Sequence, residues 1–311
     1  MPVLVLTQVN AERDETTLAN TVVFHFMNDK MTALLRDRNR AVPPATSAGS
    51  MQSSQSCLAC FQGIASSSLQ ALGSNRESAI AAEPEAIHSM RIELTRLRAA
   101  ALFFAPAIDD TMWPDIDRQL RWLNSALGRA RNRDVAIEYA HRRHYRHWAA
   151  HFRCNLMRSQ DKAHRRLASK LGSARYDSLA SELRHWISNL ALRHGSQTRL
   201  DVYCDERLHD WRDEISRLAR RIRVLHRKPL HRLRIQSKHY RYVVEALLDH
   251  DIPVSREDFL FCETARRVHQ DLGELRDLRM LRKAIGHRPP HYRKHERKLM
   301  QRVEELFRRR S

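Results

Sequence analysis

Two stretches of the chain place a histidine ahead of cations at helical spacing. His231, Arg234, Lys238 and Arg241 occupy positions 0, 3, 7 and 10. At about 100° per residue, a helix gathers them within roughly 80° of one another, in a row about 15 Å long. His88, Arg91, Thr95 and Arg98 repeat the spacing with one uncharged rung, and Arg96 stands one residue beyond it. Guanidinium and ammonium groups give charge-assisted hydrogen bonds to phosphate oxygens. A leading histidine adds a donor that gains a proton beside dense negative charge, which predicts tighter anion binding below about pH 6.5. Like charges three and four residues apart repel one another, and partial burial makes the repulsion worse. The second row has no acid within its rungs; Glu245, four residues after Arg241, is the next carboxylate on that face. An external anion is the natural neutraliser for the rest. A basic face neutralised by acids on neighbouring helices is the competing reading.

Helices must carry these rows, and the sequence supplies them. Leu58, Phe61, Ala65, Leu69 and Leu72 repeat at three and four residues before Gly73. Pro84 suits a first helical position, and Ile87, Met90, Leu94, Leu97, Ala101 and Phe104 form the next stripe. Ile116, Leu120, Leu123 and Leu127 mark a third helix, expected to end at Gly128. Beyond it, helices are expected over about 132–171 with a break near Ser159, then over 174–192, 204–226, 230–249, 255–272, 277–285 and 292–309. No proline lies between Pro114 and Pro229, and strand-like alternation is nearly absent after residue 50. The expected fold is all-α. Residues 1–51 read differently, with a possible short strand at Thr21–Phe24 and a linker over Ala41–Ser50. They are expected to be a largely disordered extension ahead of a folded domain over 52–311.

The histidine rows are copies of one another at an offset of 143 residues. A second pair supports this: Leu127-Gly128 with Arg131-Asn132 matches Leu272-Gly273 with Arg276-Asp277 at an offset of 145. Two similar helical halves are expected, over about 52–198 and 199–311. In the second pair the glycines are expected to end one helix in the left-handed conformation, and Asn132 and Asp277 to cap the next. Arg131 and Arg276 would then reach either a helix C-terminus or the anion.

The formal net charge is +19 over 311 residues, with 47 Arg against 8 Lys. Residues 1–50 are neutral, so the whole excess lies in the helical part. A polyanion suits this composition better than a small neutral substrate, although a GC-rich coding sequence also turns Lys into Arg. No apolar run reaches the roughly 18 residues of a membrane span. Five cysteines in a chain of this size point to a reducing, cytoplasmic setting. Cys57 and Cys60 form a lone CxxC without the further ligands that zinc requires. His141, His144, His147 and His151 are expected on one helix side, but Arg142, Arg143 and Arg146 interleave them and disfavour a metal ion. No metal or other cofactor is expected.

At the histidine rows the sequence resembles the CHAD family, the conserved histidine α-helical domain. That family's signature is His-x-x-Arg followed by basic residues, once in each half. It maps onto His88, Arg91, Arg96 and Arg98, and onto His231, Arg234, Lys238 and Arg241. Glu85, the Arg241-Tyr242-Val243-Val244-Glu245 ending and the two Leu-Gly turns extend the likeness over about 52–311. Thr95 and Asn132 depart from it and suggest a weaker first half. The resemblance implies two pseudo-symmetric four-helix bundles around a basic central channel. It also implies non-enzymatic binding of inorganic polyphosphate, residence on polyphosphate granules, and other granule proteins as possible partners. Some members carry an N-terminal triphosphatase domain; fifty residues cannot hold one and its Glu-x-Glu-x-Lys motif is missing, so no catalysis is expected from that source.

Two other function classes compete. A nucleic-acid-binding protein fits the charge, but aromatic residues make up only 7% of the chain and none form a stacking platform with the rows. A metal-dependent phosphohydrolase would need a carboxylate cluster for magnesium, which the sequence does not display.

Overall fold

The computed structural model divides the chain into two units, Met1–Ser50 and Met51–Ser311. The structure describes residues 56–142, 146–194, 198–220, 227–288 and 291–308. The strand and linker expected before residue 51 lie outside these. In chain order the elements are α1 (Cys57–Ser74), α2 (Arg76–Ile80), α3 (Pro84–Phe104), β1 (Ile108–Asp109), α4 (Trp113–His141), α5 (Arg146–Ala150), α6 (Arg153–Leu171), α7 (Ala174–Ser188), β2 (Ala191–Leu192), α8 (Leu200–Ala219), α9 (Arg227–Asp249), α10 (Arg256–Ile285) and α11 (Tyr292–Arg308). The fold is all-α; its described extended structure is a two-residue antiparallel bridge, Ile108 opposite Leu192 and Asp109 opposite Ala191.

Local chemistry sets the helix ends. Ser56 caps α1 by accepting the Ala59 N–H on its Oγ, and Pro84 opens α3. Ser255 caps α10 and accepts the Asp258 N–H at 3.0 Å. At the other end of α10, Gly286 adopts φ +85, and its N–H reaches the Arg282 carbonyl. The stripe of α3 is buried as its spacing predicts, with Ile87, Met90, Leu94 and Leu97 all at 0% exposure. Burying each contributes about 1.5–3 kcal/mol, enough to hold the helix that carries the first row.

Several boundaries differ from expectation. Gly128 lies inside α4 and Gly273 inside α10, so neither ends a helix and Asn132 and Asp277 cap nothing. An interior glycine costs about 1 kcal/mol against alanine. That is less than the burial gained by Leu127 and Ala130 on one helix and Leu272 and Leu275 on the other. The segments 255–272 and 277–285 are therefore one helix. The break expected near Ser159 falls instead between α4 and α6, where Arg142 turns extended. The α6 backbone runs through Ser159, and Gln160 and His164 on the adjoining turns both bond Asp134 of α4. Helix α7 stops at Ser188, short of 192, because Ala191 and Leu192 join the bridge. Helix α8 begins at Leu200 and ends at Ala219.

Candidate anion-binding site

The two rows ride on α3 and α9, and the two Leu-Gly segments on α4 and α10. Helix α3 packs on α4, α9 on α10, α3 on α9, and α4 on α10, so the four motif helices meet at one place. Two side-chain bonds link the paired motif segments there. Lys238 Nζ donates to Thr95 Oγ1 at 2.8 Å across 143 residues, and Arg276 Nη2 donates to Asn132 Oδ1 at 2.5 Å across 144.

The cations divide into two groups. One group, called outer for its pairing and not for its exposure, has internal acids; Arg131 within it is only 7% exposed. Arg98 bonds Asp117 at 2.7 Å, and Arg241 bonds Glu245 at 2.7 Å. Arg131 bonds Glu138 at 2.6 Å, and Arg96 lies 3.5 Å from Glu93 and 3.4 Å from Asp249. Burial works most strongly against the Arg241 charge, but Glu245, Tyr242 and Cys262 together outweigh it and the guanidinium pKa is raised.

The inner group lacks such partners. Arg91 and Arg234 have no carboxylate within ion-pair distance among the described residues, and the Nε of each is buried without a hydrogen bond. Burial, then neighbouring guanidinium groups with Arg276 foremost, lowers both to about 10. Lys238 is held well below the ordinary lysine range by burial and by Arg91, Arg234, Arg276 and Arg241. Its side-chain partner is the uncharged Thr95 hydroxyl. Asp277 is the acid nearest this group, 3.4 Å from Arg276 Nη1, and burial raises its carboxyl pKa.

The two histidines differ. His88 is half-buried, and burial followed by Arg131, Arg91, Lys238 and Arg241 lowers it to about 4. It is neutral at pH 6 in the free protein, so the expected gain in affinity just below pH 6.5 does not come from a pre-charged His88. His231 is exposed and borders a cavity of about 480 Å³ shared with Arg234, Arg276, Arg279, Arg282 and Lys283. Among the described residues, no carboxylate lines that cavity.

Three contributors carried no assigned role in the sequence. Tyr242 spreads its ring under Lys238 Nζ at 5.4 Å and the Arg241 guanidinium at 5.3 Å. Its place in the Arg-Tyr-x-x-Glu ending was the available signal. His269 on α10 is half-buried, with both ring nitrogens buried and without a hydrogen bond, and the same cations surround it. His239 is lowered to about 4 by burial, Lys238 and Arg98. Neither spacing nor the repeat marks these two. The histidines expected on one helix side are dispersed: His141 ends α4, His147 lies in α5 and His151 in the turn before α6, while His144 lies outside the described residues. Cys57 and Cys60 are buried free thiols. Among the described residues, no cluster of three or more His, Cys, Asp or Glu is placed to hold a metal ion, and no helix is long and apolar enough to cross a membrane.

Together these features describe an all-α scaffold that crowds unneutralised cations where its four motif helices meet. The CHAD domain family model matches residues 63–286, and the chain belongs to the CHAD family. A search of curated proteins finds no significant match. Among solved structures, the CHAD domain from the plant Ricinus communis is similar with a TM-score of 0.67 at 19% identity, over 86% of this chain and 96% of that one. PptA from Streptomyces chartreusis is similar with a TM-score of 0.56 at 16% identity, over 81% of this chain and 94% of that one. At these identities the likeness is one of fold.

Proposed function

We propose that this protein binds inorganic polyphosphate without acting as an enzyme, and that it does so in the cytoplasm at polyphosphate granules. The observation that carries the reading is the inner cation group. Arg91, Arg234 and Lys238 are crowded and partly desolvated, and no internal carboxylate stands within ion-pair distance of them among the described residues. Crowding of this kind is costly in the free protein. It is relieved when an anion with one charge per short repeat runs between the rows. Arg276 and His231 line the cavity leading to the group. His88 stands by as a donor that takes up a proton when the anion arrives, since nearby negative charge raises its pKa from about 4. Arg96, Arg98, Arg131 and Arg241 fix the frame, because their own acids already engage them. Recognition is by charge density and chain shape.

A titration of the protein with polyphosphate tests this. The wild type should bind with an affinity that falls steeply as salt rises, by counterion release. Equal phosphate concentrations of duplex DNA or RNA should fail to displace the polymer. Displacement by either would favour the nucleic-acid reading, and phosphate release in the presence of magnesium would favour hydrolysis.

A further inference from the structure

A second basic cleft lies beside the inner group, formed by residues outside the histidine signature. It has a volume of about 670 Å³ and runs between α4, α6 and α10. Arg129, Arg133, Lys162, Arg166 and Lys283 line it, with Asn132, Asn155 and Ser159 as neutral hydrogen-bonding groups. No carboxylate lines it, and none of the five cations has a carboxylate within ion-pair distance among the described residues. Arg129 instead reaches the Ser125 hydroxyl at 2.7 Å.

The cleft is connected to the site already described. Met280 and Lys283 line both it and the 480 Å³ cavity that holds His231, Arg234 and Arg276. Asn132, on the cleft side, accepts the 2.5 Å hydrogen bond from Arg276 on the other. A linear anion leaving the inner group past Arg276 meets Lys283 and then Arg129, Lys162 and Arg166. Among the described residues the lining holds no aromatic side chain, so these residues offer bases no stacking surface. A phosphate chain needs none.

We infer that the α4–α6–α10 cleft is an exit subsite that holds the continuation of a long phosphate polymer, and so sets a preference for long chains over short ones. This rests on the polyphosphate reading above.

The test compares tripolyphosphate with long-chain polyphosphate on the full chain. The variant carries Arg129→Gln, Lys162→Gln and Arg166→Gln, three exposed positions whose loss leaves the core intact. It should keep the wild-type affinity for tripolyphosphate. Its affinity for the long chain should fall about tenfold, the scale three solvent-screened contacts reach together. The slope of log affinity against log salt should flatten by about 2 for the long chain, taking roughly 0.7 per lost contact as for single strands. The single charge reversal Arg166→Glu should give a smaller loss in the same direction. Unchanged long-chain binding by the triple variant overturns the inference while leaving the inner site standing. A wild type that binds neither chain overturns both readings. Displacement of long polyphosphate by oligothymidylate in the wild type but not in the triple variant would reassign the cleft to nucleic acid.

Discussion

The helices that carry the two rows, α3 and α9, share a spacing and neutralise it differently. Position for position, Thr95 faces Lys238, Ala99 corresponds to Tyr242, and Leu102 corresponds to Glu245. The second copy carries an acid on its own helix, four residues after Arg241. The first has no such acid, and Arg98 reaches across to Asp117 on α4. The matched positions also differ in burial: Leu102 is 42% exposed and Glu245 only 5%. Equal spacing therefore does not imply equal environment. What the two helices share is a pattern of cations with partners and cations without them, reached by different routes.

The largest effect separates inner from outer cations. Replacing Arg91, Arg234 and Lys238 together by Met should weaken polyphosphate binding on the order of a thousandfold, since charge-assisted contacts are worth about 1.5–3 kcal/mol each. The same variant should be more stable than wild type by at least about 1 kcal/mol, because crowded cations give way to apolar groups of similar size. Calorimetry and a binding titration read both. A less stable variant that still binds would dissolve the distinction between the groups.

Acid comes next, on the order of a few kcal/mol. His88 and His239 have folded values of about 4 against about 6.5 in the unfolded chain. The unfolded state therefore binds more protons between those values, so stability is full above about 6.5 and is lost as pH falls toward 4. Thermal unfolding of the free protein should show this fall, and bound polyphosphate should lessen it by favouring charged His88.

Glu245→Leu gives the second copy the residue type that the first has at Leu102. It removes the carboxylate shared by Arg241 and Arg266, at 2.7 and 3.0 Å. A loss of about 3 kcal/mol is expected, read by denaturant unfolding, because removing one partner leaves buried charge uncompensated. Asp117→Leu should cost less, since Arg98 is more exposed than Arg241, at 27% against 13% of its side chain.

Thr95→Lys makes the first row resemble the second. The new ammonium would face Lys238 in place of the hydroxyl now 2.8 Å away. Stability should fall by about 1 kcal/mol and polyphosphate affinity rise severalfold. The smallest effect is expected at the paired glycines. A Cβ on Gly128 meets nothing within 4 Å, and one on Gly273 meets Arg234 at 3.9 Å. Gly128→Ala should stabilise by up to about 1 kcal/mol. Gly273→Ala should do so slightly less, and a larger residue there should push Arg234 aside.

The all-α fold was legible because apolar residues at three- and four-residue spacing leave little choice about which face is buried. Pro84 marked its helix start for the same kind of local reason. Glycine misled at Gly128 and Gly273, where its weak local preference lost to burial along α4 and α10. The break near Ser159 was misplaced because the bonds from Gln160 and His164 to Asp134 join residues 26 and 30 apart in sequence.

The sequence by itself determined that cations would stand in two helical rows, since spacing alone fixes which side chains share a helix face. It also placed Glu245 as the next carboxylate on the face of Arg241, four residues on, and the two pair within one helix. Only the tertiary structure decided which cations stay without a carboxylate. Asp117 and Asn132 reach their arginines between helices, Glu138 reaches Arg131 from two turns along the same face of α4, and the environment of His88 and His269 is set largely by charges from distant segments. Neutralisation is a property of three-dimensional distance, and Coulomb interactions do not follow the order of the chain.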